Sequence, residues 1–296
     1  MKVLNFGSLN IDYVYRVEEF VRAGETLTAK ERRVFAGGKG LNQSLALARA
    51  GVTVFHAGAV GEADGGFLLG ILDESQVDRR HVRTLKEVAS GHAMITVNSR
   101  GENTIMLYGG ANQSITGEHI QRVLADFSPG DFLLLQNEIN HLDLLIRSGH
   151  ERGLRIVLNP SPMTAALREA PLEKVDYLIL NRVEAGDLCP GAAEENLLKA
   201  LTERYPDTGL LLTLGEEGAY LHHRGKTRFQ KAFPVKAVDT TGAGDTFTGY
   251  FVAGLVKGLD EGEALERAAR AAAIAVTREG ASASIPGIDE VLAFDF

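Results

Sequence analysis

The sequence has no tryptophan, one cysteine and a shortage of positive charge. The lone Cys189 excludes an internal disulfide and fits a reducing, cytoplasmic setting. It precedes Pro190 with no nearby His, and reads as inert packing. Against 39 Asp and Glu stand 31 Lys and Arg, a formal net charge of −8. That balance argues against non-specific binding to nucleic acid or to an anionic membrane, which both need surplus Lys and Arg. No apolar run reaches the ~18 residues of a transmembrane helix. Met1 to Ser8 reads directly as a strand, without a basic stretch or a small-residue cleavage site, so no export signal is expected. The eight His have no metal-ligand spacing. No G-x-G-x-x-G follows the first strand, which argues against a dinucleotide enzyme. Gly225-Lys-Thr227 ends like a Walker loop, but Tyr220 stands where that loop needs glycine.

What is present is a chain of 296 residues, 45% apolar, with 33 glycines. Such a chain buries a large core and folds as about one to two domains. Its acidity poses a question: if it handles anions, something other than bulk positive charge must hold them.

Short apolar runs without strict alternation read as strands covered on both faces. They are Val3–Gly7, Val52–Val60, Phe132–Gln136, Arg155–Leu158, Tyr177–Leu180 and Leu210–Leu214. Helical patterns lie between them at Lys39–Ala50, Gly65–Glu74, Gly117–Phe127, Leu142–Arg152, Thr164–Glu169 and Ala193–Arg204. This alternation implies an α/β fold with a mainly parallel sheet. Two regions alternate apolar and polar residues instead: Tyr13–Val17 with Thr26–Val34, and Ala93–Asn98 with Thr104–Leu107. They read as antiparallel strands of a small projecting sheet, over about 12–35 and 92–108. A hairpin is expected at Ala219–His223 and Thr227–Phe233, and Ala-rich helix from Gly244 to Arg278 with a break near Gly258–Gly262. No linker or repeat interrupts the chain, so residues 1–296 are expected to form one α/β domain carrying that small sheet.

Chemistry concentrates at strand-to-helix junctions. In Asp239-Thr-Thr-Gly-Ala-Gly-Asp-Thr246, the N–H groups of Gly242, Ala243 and Gly244 precede a helix and can converge on an anion. Asp245 in the first turn reads either as a cap or as a general base beside a bound phosphate. In Gly37-Gly-Lys-Gly-Leu-Asn-Gln43, Lys39 and Asn42 offer donors on a first turn, or are merely solvated. Asn10 and Asp12 alternate after the first strand, where a paired amide and carboxylate suit neighbouring hydroxyls; the alternative is an Asx turn. Gln136-Asn-Glu138, Asn159-Pro-Ser-Pro162, Asn181-Arg-Val-Glu184 and Thr213-Leu-Gly215 each follow a buried strand and are expected to face one crevice. Phe35, Met94, Ile105 and Leu107 read either as lining a ligand pocket from the small sheet or, for most of them, as packing within that sheet or at a dimer interface. Asn42-Gln-Ser44 and Asn112-Gln-Ser114 match the glycosylation sequon without significance in a chain lacking an export signal.

These segments, with Gly101-Glu-Asn103, Gly110-Ala-Asn112 and Ala275-Val-Thr-Arg-x-Gly280, resemble the ribokinase-like carbohydrate kinases of the phosphofructokinase-B type nearly end to end. Gly-Gly-Lys-Gly with Asn42-Gln43 resembles the ribokinase branch rather than the nucleoside branch. The resemblance implies a three-layer α/β sandwich with a small β-sheet lid, and ATP-dependent phosphorylation of a pentose primary hydroxyl, with D-ribose first. Another sugar or a nucleoside is the alternative, though a nucleoside wants a larger aromatic pocket and aromatics are 7% of the chain. By resemblance Asn10, Asp12, Gly38, Lys39, Asn42 and Glu138 would hold the sugar. Asp245 would take the proton, and the N–H groups of Gly242, Ala243 and Gly244 would stabilise the transferring phosphoryl group. Asn181, Glu184, Thr213 and Gly215 would serve ATP and its Mg²⁺. A monovalent cation, K⁺, would sit at Asp239, Thr241, Ala275, Arg278, Gly280 and Ser284, mostly on backbone carbonyls. The lid would pair two subunits. A non-catalytic sugar-binding protein on this fold need not keep Asp245, Gly242, Gly244 and Lys39 together, and this chain has all four. One departure is Gly61-Glu-Ala-Asp64, with Ala63 where the family usually has Asp.

Overall fold

The computed structural model describes residues 1–295, so Phe296, the last residue of the expected domain, lies outside them. The strands are β1 (Val3–Phe6), β2 (Asn10–Arg16), β3 (Glu31–Gly37), β4 (Val54–Gly61), β5 (Asp78–Leu85), β6 (Gly91–Val97) and β7 (Asn103–Tyr108). They continue as β8 (Phe132–Gln136), β9 (Arg155–Asn159), β10 (Tyr177–Asn181), β11 (Gly209–Thr213), β12 (Gly218–His223) and β13 (Lys226–Lys231). The helices are α1 (Lys39–Arg49), α2 (Gly66–Glu74), α3 (Gly117–Leu124), α4 (Leu142–Glu151) and α5 (Ala165–Arg168). After them come α6 (Arg182–Leu188), α7 (Leu197–Arg204), α8 (Ala243–Val256), α9 (Glu261–Ala275) and α10 (Ile288–Ala293).

Nine strands form the main sheet in the order β13-β12-β11-β10-β9-β8-β1-β4-β5. All neighbours are parallel from β11 to β5; the β12–β13 hairpin adds the antiparallel edge. Successive strand residues feed two separate cores. Val3, Phe132 and Leu134 join Leu41, Leu45, Tyr250 and Phe251 of α1 and α8, while Leu4, Phe6, Leu133 and Leu135 join Ile120, Leu145 and Leu201 of α3, α4 and α7. A period-2 strand with both faces covered is why these runs are mostly apolar, with Asn5, His56 and Gln136 as buried exceptions. Truncating one such buried Leu costs about 2–5 kcal/mol.

The small sheet has the order β3-β2-β6-β7. Its two hairpins are antiparallel, but its central pair β2–β6 is parallel, with Asn10 opposite Gly91. The expectation of purely antiparallel strands is corrected there. β2 follows β1 after three residues, so the lid grows straight out of the main sheet. Phe35, Met94, Ile105 and Leu107 are exposed rather than packed inside it. Asn42 and Asn112 are buried, in keeping with the sequons meaning nothing.

Candidate active site

The carboxyl ends of β1, β8, β9, β10 and β11 meet the N-termini of α1 and α8 at one cleft. Two glycine contacts make this geometry available. A Cβ on Gly40 would lie 2.3 Å from the N of Ser8, so α1 can approach the end of β1 only with glycine there. Gly242 caps α8 at φ 75, a left-handed conformation, and a Cβ on it would lie 2.9 Å from Ala281 Cα.

Asp245 is 7% exposed in the first turn of α8. Its Oδ2 accepts from Asn42 Nδ2 and its Oδ1 from Gln43 Nε2, each at 2.9 Å. The carboxylate is therefore held by side chains of α1, and it does not cap its own helix. That decides against the capping reading. The N–H of Ala243 goes to the carbonyl of Thr240 at 3.3 Å. Those of Gly242 and Gly244 have no protein acceptor among the described residues, so two of the three expected N–H groups remain free for an anion.

Lys39, Asn159, Ser161, Asn181, Glu184, Thr213, Thr240, Gly242, Gly244, Asp245 and Thr248 line a polar cleft of about 240 Å³. Burial opposes the charge on Lys39, but the carboxylates of Asp245, Glu138 and Glu184 outweigh it and raise Lys39 above its ordinary pKa. The cleft thus keeps a cation among acidic groups. Asn181 and Glu184 also form a capping box at α6: Glu184 N–H donates to Asn181 Oδ1 at 3.0 Å and Asn181 N–H to Glu184 Oε2 at 2.9 Å. Thr213 Oγ1 donates to the carbonyl of Leu180 at 3.3 Å, while Gly215 opens a short 3₁₀ turn outside the cleft lining.

The other end of the site lies under the lid. Asn10 Oδ1 accepts from Asn112 Nδ2 at 2.7 Å, and Asn112 Oδ1 from the N–H of Leu9 at 3.0 Å. Glu138 accepts from Ser8 Oγ and, at 2.9 Å, from the N–H of Lys39. Burial raises Glu138 above its ordinary value. Burial, then the Glu138 carboxylate, push Asp12 up to about 7. Gly38 stands at φ 92 just before α1. Two carboxyl groups reluctant to ionise can both accept from a hydroxyl and donate to it, so beside buried amides they suit hydroxyl ligands.

The loop beside the Gly242–Gly244 turn is tied from several sides. Asp239 Oδ1 accepts from the N–H and Oγ1 of Thr241, and Oδ2 from the N–H of Gly280 at 2.9 Å. Burial opposes the charge on Asp239, but these bonds outweigh it and hold the group below its ordinary pKa. The Arg278 guanidinium pairs with Glu290, leaving its backbone for any ion. Ser284 Oγ donates to the carbonyl of Ala281 at 2.9 Å, and the carbonyl of Ala275 accepts from Arg278 N–H at 3.1 Å. Arg49 Nη1 holds the same loop through the carbonyls of Ser282 and Ile285. Oxygen donors beside one retained carboxylate fit a hard monovalent cation. Glu184 and Asn181 offer hard oxygen ligands of the kind that Mg²⁺ takes. No cluster of three His, Cys, Asp or Glu that could hold a metal occurs among the described residues.

Residues 1–288 match the model of the pfkB family of carbohydrate kinases. The chain belongs to that family. It is similar to the ribokinase of Haemophilus influenzae, at 35% identity over 97% of this chain and 96% of the relative. It is similar to a deoxyribokinase of Salmonella typhi, at 31% over 98% and 97%. Among solved structures it resembles Arabidopsis thaliana ribokinase complexed with ribose and ATP, with a TM-score of 0.88, 30% identity and 99% of each chain covered. The chain is thus a ribokinase-family sugar kinase with the ribokinase-like fold, a phosphotransferase acting on an alcohol group. Asp64, in the stretch that departs from the family pattern, accepts from the N–H and Oγ of Ser90 and braces the start of β6, away from the cleft.

Sequence reasoning missed Asn112, Arg49 and the partner role of Gln43, since nothing local marks a polar residue as another residue's support. It placed Gln136 in the crevice, but Gln136 is fully buried beneath α1; Asn159 and Ser161 do line the cleft.

Proposed function

We propose that this kinase transfers the γ-phosphoryl group of ATP to the primary hydroxyl of a pentose, D-ribose before others. The observation that carries the reading is a buried carboxylate, Asp245, one residue from the free N–H of Gly244 in a cleft that also holds Lys39. Asp245 takes the proton of the attacking hydroxyl. The N–H groups of Gly242 and Gly244 stabilise the transferring phosphoryl group, with Ala243 shaping the turn. Phosphoryl transfer rests on positioning and charge neutralisation, which is what fixed dipoles at a helix N-terminus supply. Asn10, Asp12, Gly38, Lys39, Asn42 and Glu138 hold the sugar hydroxyls. Asn42 keeps Oδ1 for this, a buried oxygen with no protein donor. Asn181, Glu184, Thr213 and Gly215 hold the nucleotide, and Mg²⁺ bound there would neutralise phosphate charge. K⁺ would bind at the carbonyls of Asp239, Thr241, Ala275, Arg278, Gly280 and Ser284 and add positive potential behind the anion-binding turn. Two copies would pair through the exposed outer edge of the lid around Met94, Met106, Leu107 and Tyr108.

The similarity to a deoxyribokinase supports deoxyribose as the second reading. A coupled ADP-release assay over ribose, deoxyribose, fructose and adenosine, with and without K⁺, separates them. Ribose is expected to give the highest kcat/KM. Absence of turnover on every acceptor would sink the reading.

A further inference from the structure

Beneath Asp245 lies a row of buried polar side chains that neither sugar nor nucleotide binding uses. Asn5 and His56 stand side by side on β1 and β4, Gln136 ends β8, and all three are fully buried on the face covered by α1. Asn5 Nδ2 donates to the carbonyl of Gly40 at 2.7 Å and to Ser44 Oγ at 2.8 Å. A backbone carbonyl accepts and never donates, so Gly40 determines which way round the Asn5 amide stands. Asn5 Oδ1 then accepts from Gln136 Nε2 at 2.9 Å, and the same Nε2 donates to Gln43 Oε1 at 2.7 Å. Gln43 is left with its amino group facing Asp245 Oδ1. Ser44, having accepted from Asn5, has its proton for His56 Nδ1 at 2.8 Å. Burial holds His56 down at about 4, so its ring is a neutral acceptor there.

We infer that Gln43 is a positioning residue for Asp245, and that Gln136 and Asn5 act on Asp245 through it. The inference rests on the reading of Asp245 as the base. A Gln43 amide turned the other way would set one oxygen against another in a buried site. The chain of three amides prevents that turn, so the carboxylate is held at both oxygens, by Gln43 and by Asn42. The charged groups acting on it, Lys39 and Glu138, come from α1 and the loop after β8. Reaction geometry of this kind is sensitive to displacements of about 1 Å.

The test is steady-state kinetics of Gln43→Leu, Gln136→Leu and the double variant, on the sugar that the wild-type enzyme turns over best. Gln43→Leu is expected to lower kcat about 10- to 100-fold while the sugar KM moves less than about threefold. Gln136→Leu should lower kcat by less, with the same split. The double variant should be no slower than Gln43→Leu, because the two residues act in series. If Gln43→Leu does not fold, Gln136→Leu, which touches neither Asp245 nor Asn42, carries the same test. A folded variant with wild-type kcat, or with its loss confined to KM, overturns the inference. A wild-type enzyme inactive on every acceptor overturns the base assignment instead, and that result is read before any variant is made.

Discussion

Asp245 and Asp12 are both partly or wholly buried acids, yet their surroundings differ. Asp245 has a neutral amide donor on each oxygen. In Asp245→Asn one of those contacts becomes amide against amide, a cost of about 1 kcal/mol. The same change is expected to lower kcat about 10²–10⁴-fold, the range a positioned base supplies. Steady-state kinetics beside a thermal melt checks this, and activity within a few-fold of wild type would refute the role. Asp12 lies on the lid strand β2, near enough to Glu138 to feel its charge, and its pKa is raised from 3.8 to about 7. Between those values the folded chain keeps a proton that the unfolded chain has lost. The stability this contributes is fully present below about pH 4 and is lost as pH rises through about 7. Asp12→Asn should therefore melt above wild type at about pH 8, with the gap closing towards about pH 4. A gap that does not change with pH would show that Asp12 is not held neutral. The comparison is between the two proteins because His56 and His119, held near 4 by burial, lose stability in the opposite direction as pH falls below 6.5. The residues legible in the sequence were those at strand-to-helix junctions, where glycine, charge and position coincide. Asn5 and Gln43 were assigned no role and Gln136 was placed in the crevice, because their importance lies in contacts across as many as 131 residues.

Strands buried on both faces were readable to within a residue or two, since a sheet sandwiched between helices leaves few polar positions in them; Asn5, His56 and Gln136 are the buried exceptions. The strand β5, Asp78-Arg-Arg-His-Val-Arg-Thr-Leu85, was missed: it is an edge strand, half-exposed, and its composition reads as surface. Helix α6 was missed because seven residues show too little periodicity. In the lid, alternation indicated strands but carries no information on direction, so the parallel β2–β6 pair was not foreseen. Strand β7 is exposed throughout and forms the lid's outer edge. An apolar edge of this kind invites pairing with another chain. Leu107→Glu is expected to shift a dimer towards monomer in sedimentation velocity. A wild-type chain that sediments as a monomer at all concentrations would remove the lid interface.

At the scale of the whole molecule, a net charge of −8 is compatible with handling phosphate because the positive potential is local. It comes from Lys39, the head of α8 and the proposed cations. Replacing K⁺ by a bulky organic cation is accordingly expected to lower kcat, and equal rates in both would remove the cation from the scheme. The order in which the chain supplies its parts has a further consequence. Every strand of both sheets is complete by Lys231, but Asp245 meets Asn42 across 203 residues. The proposed base therefore enters only with α8, after every strand has been made, and the face of the main sheet that α8 and α9 cover stays open until then.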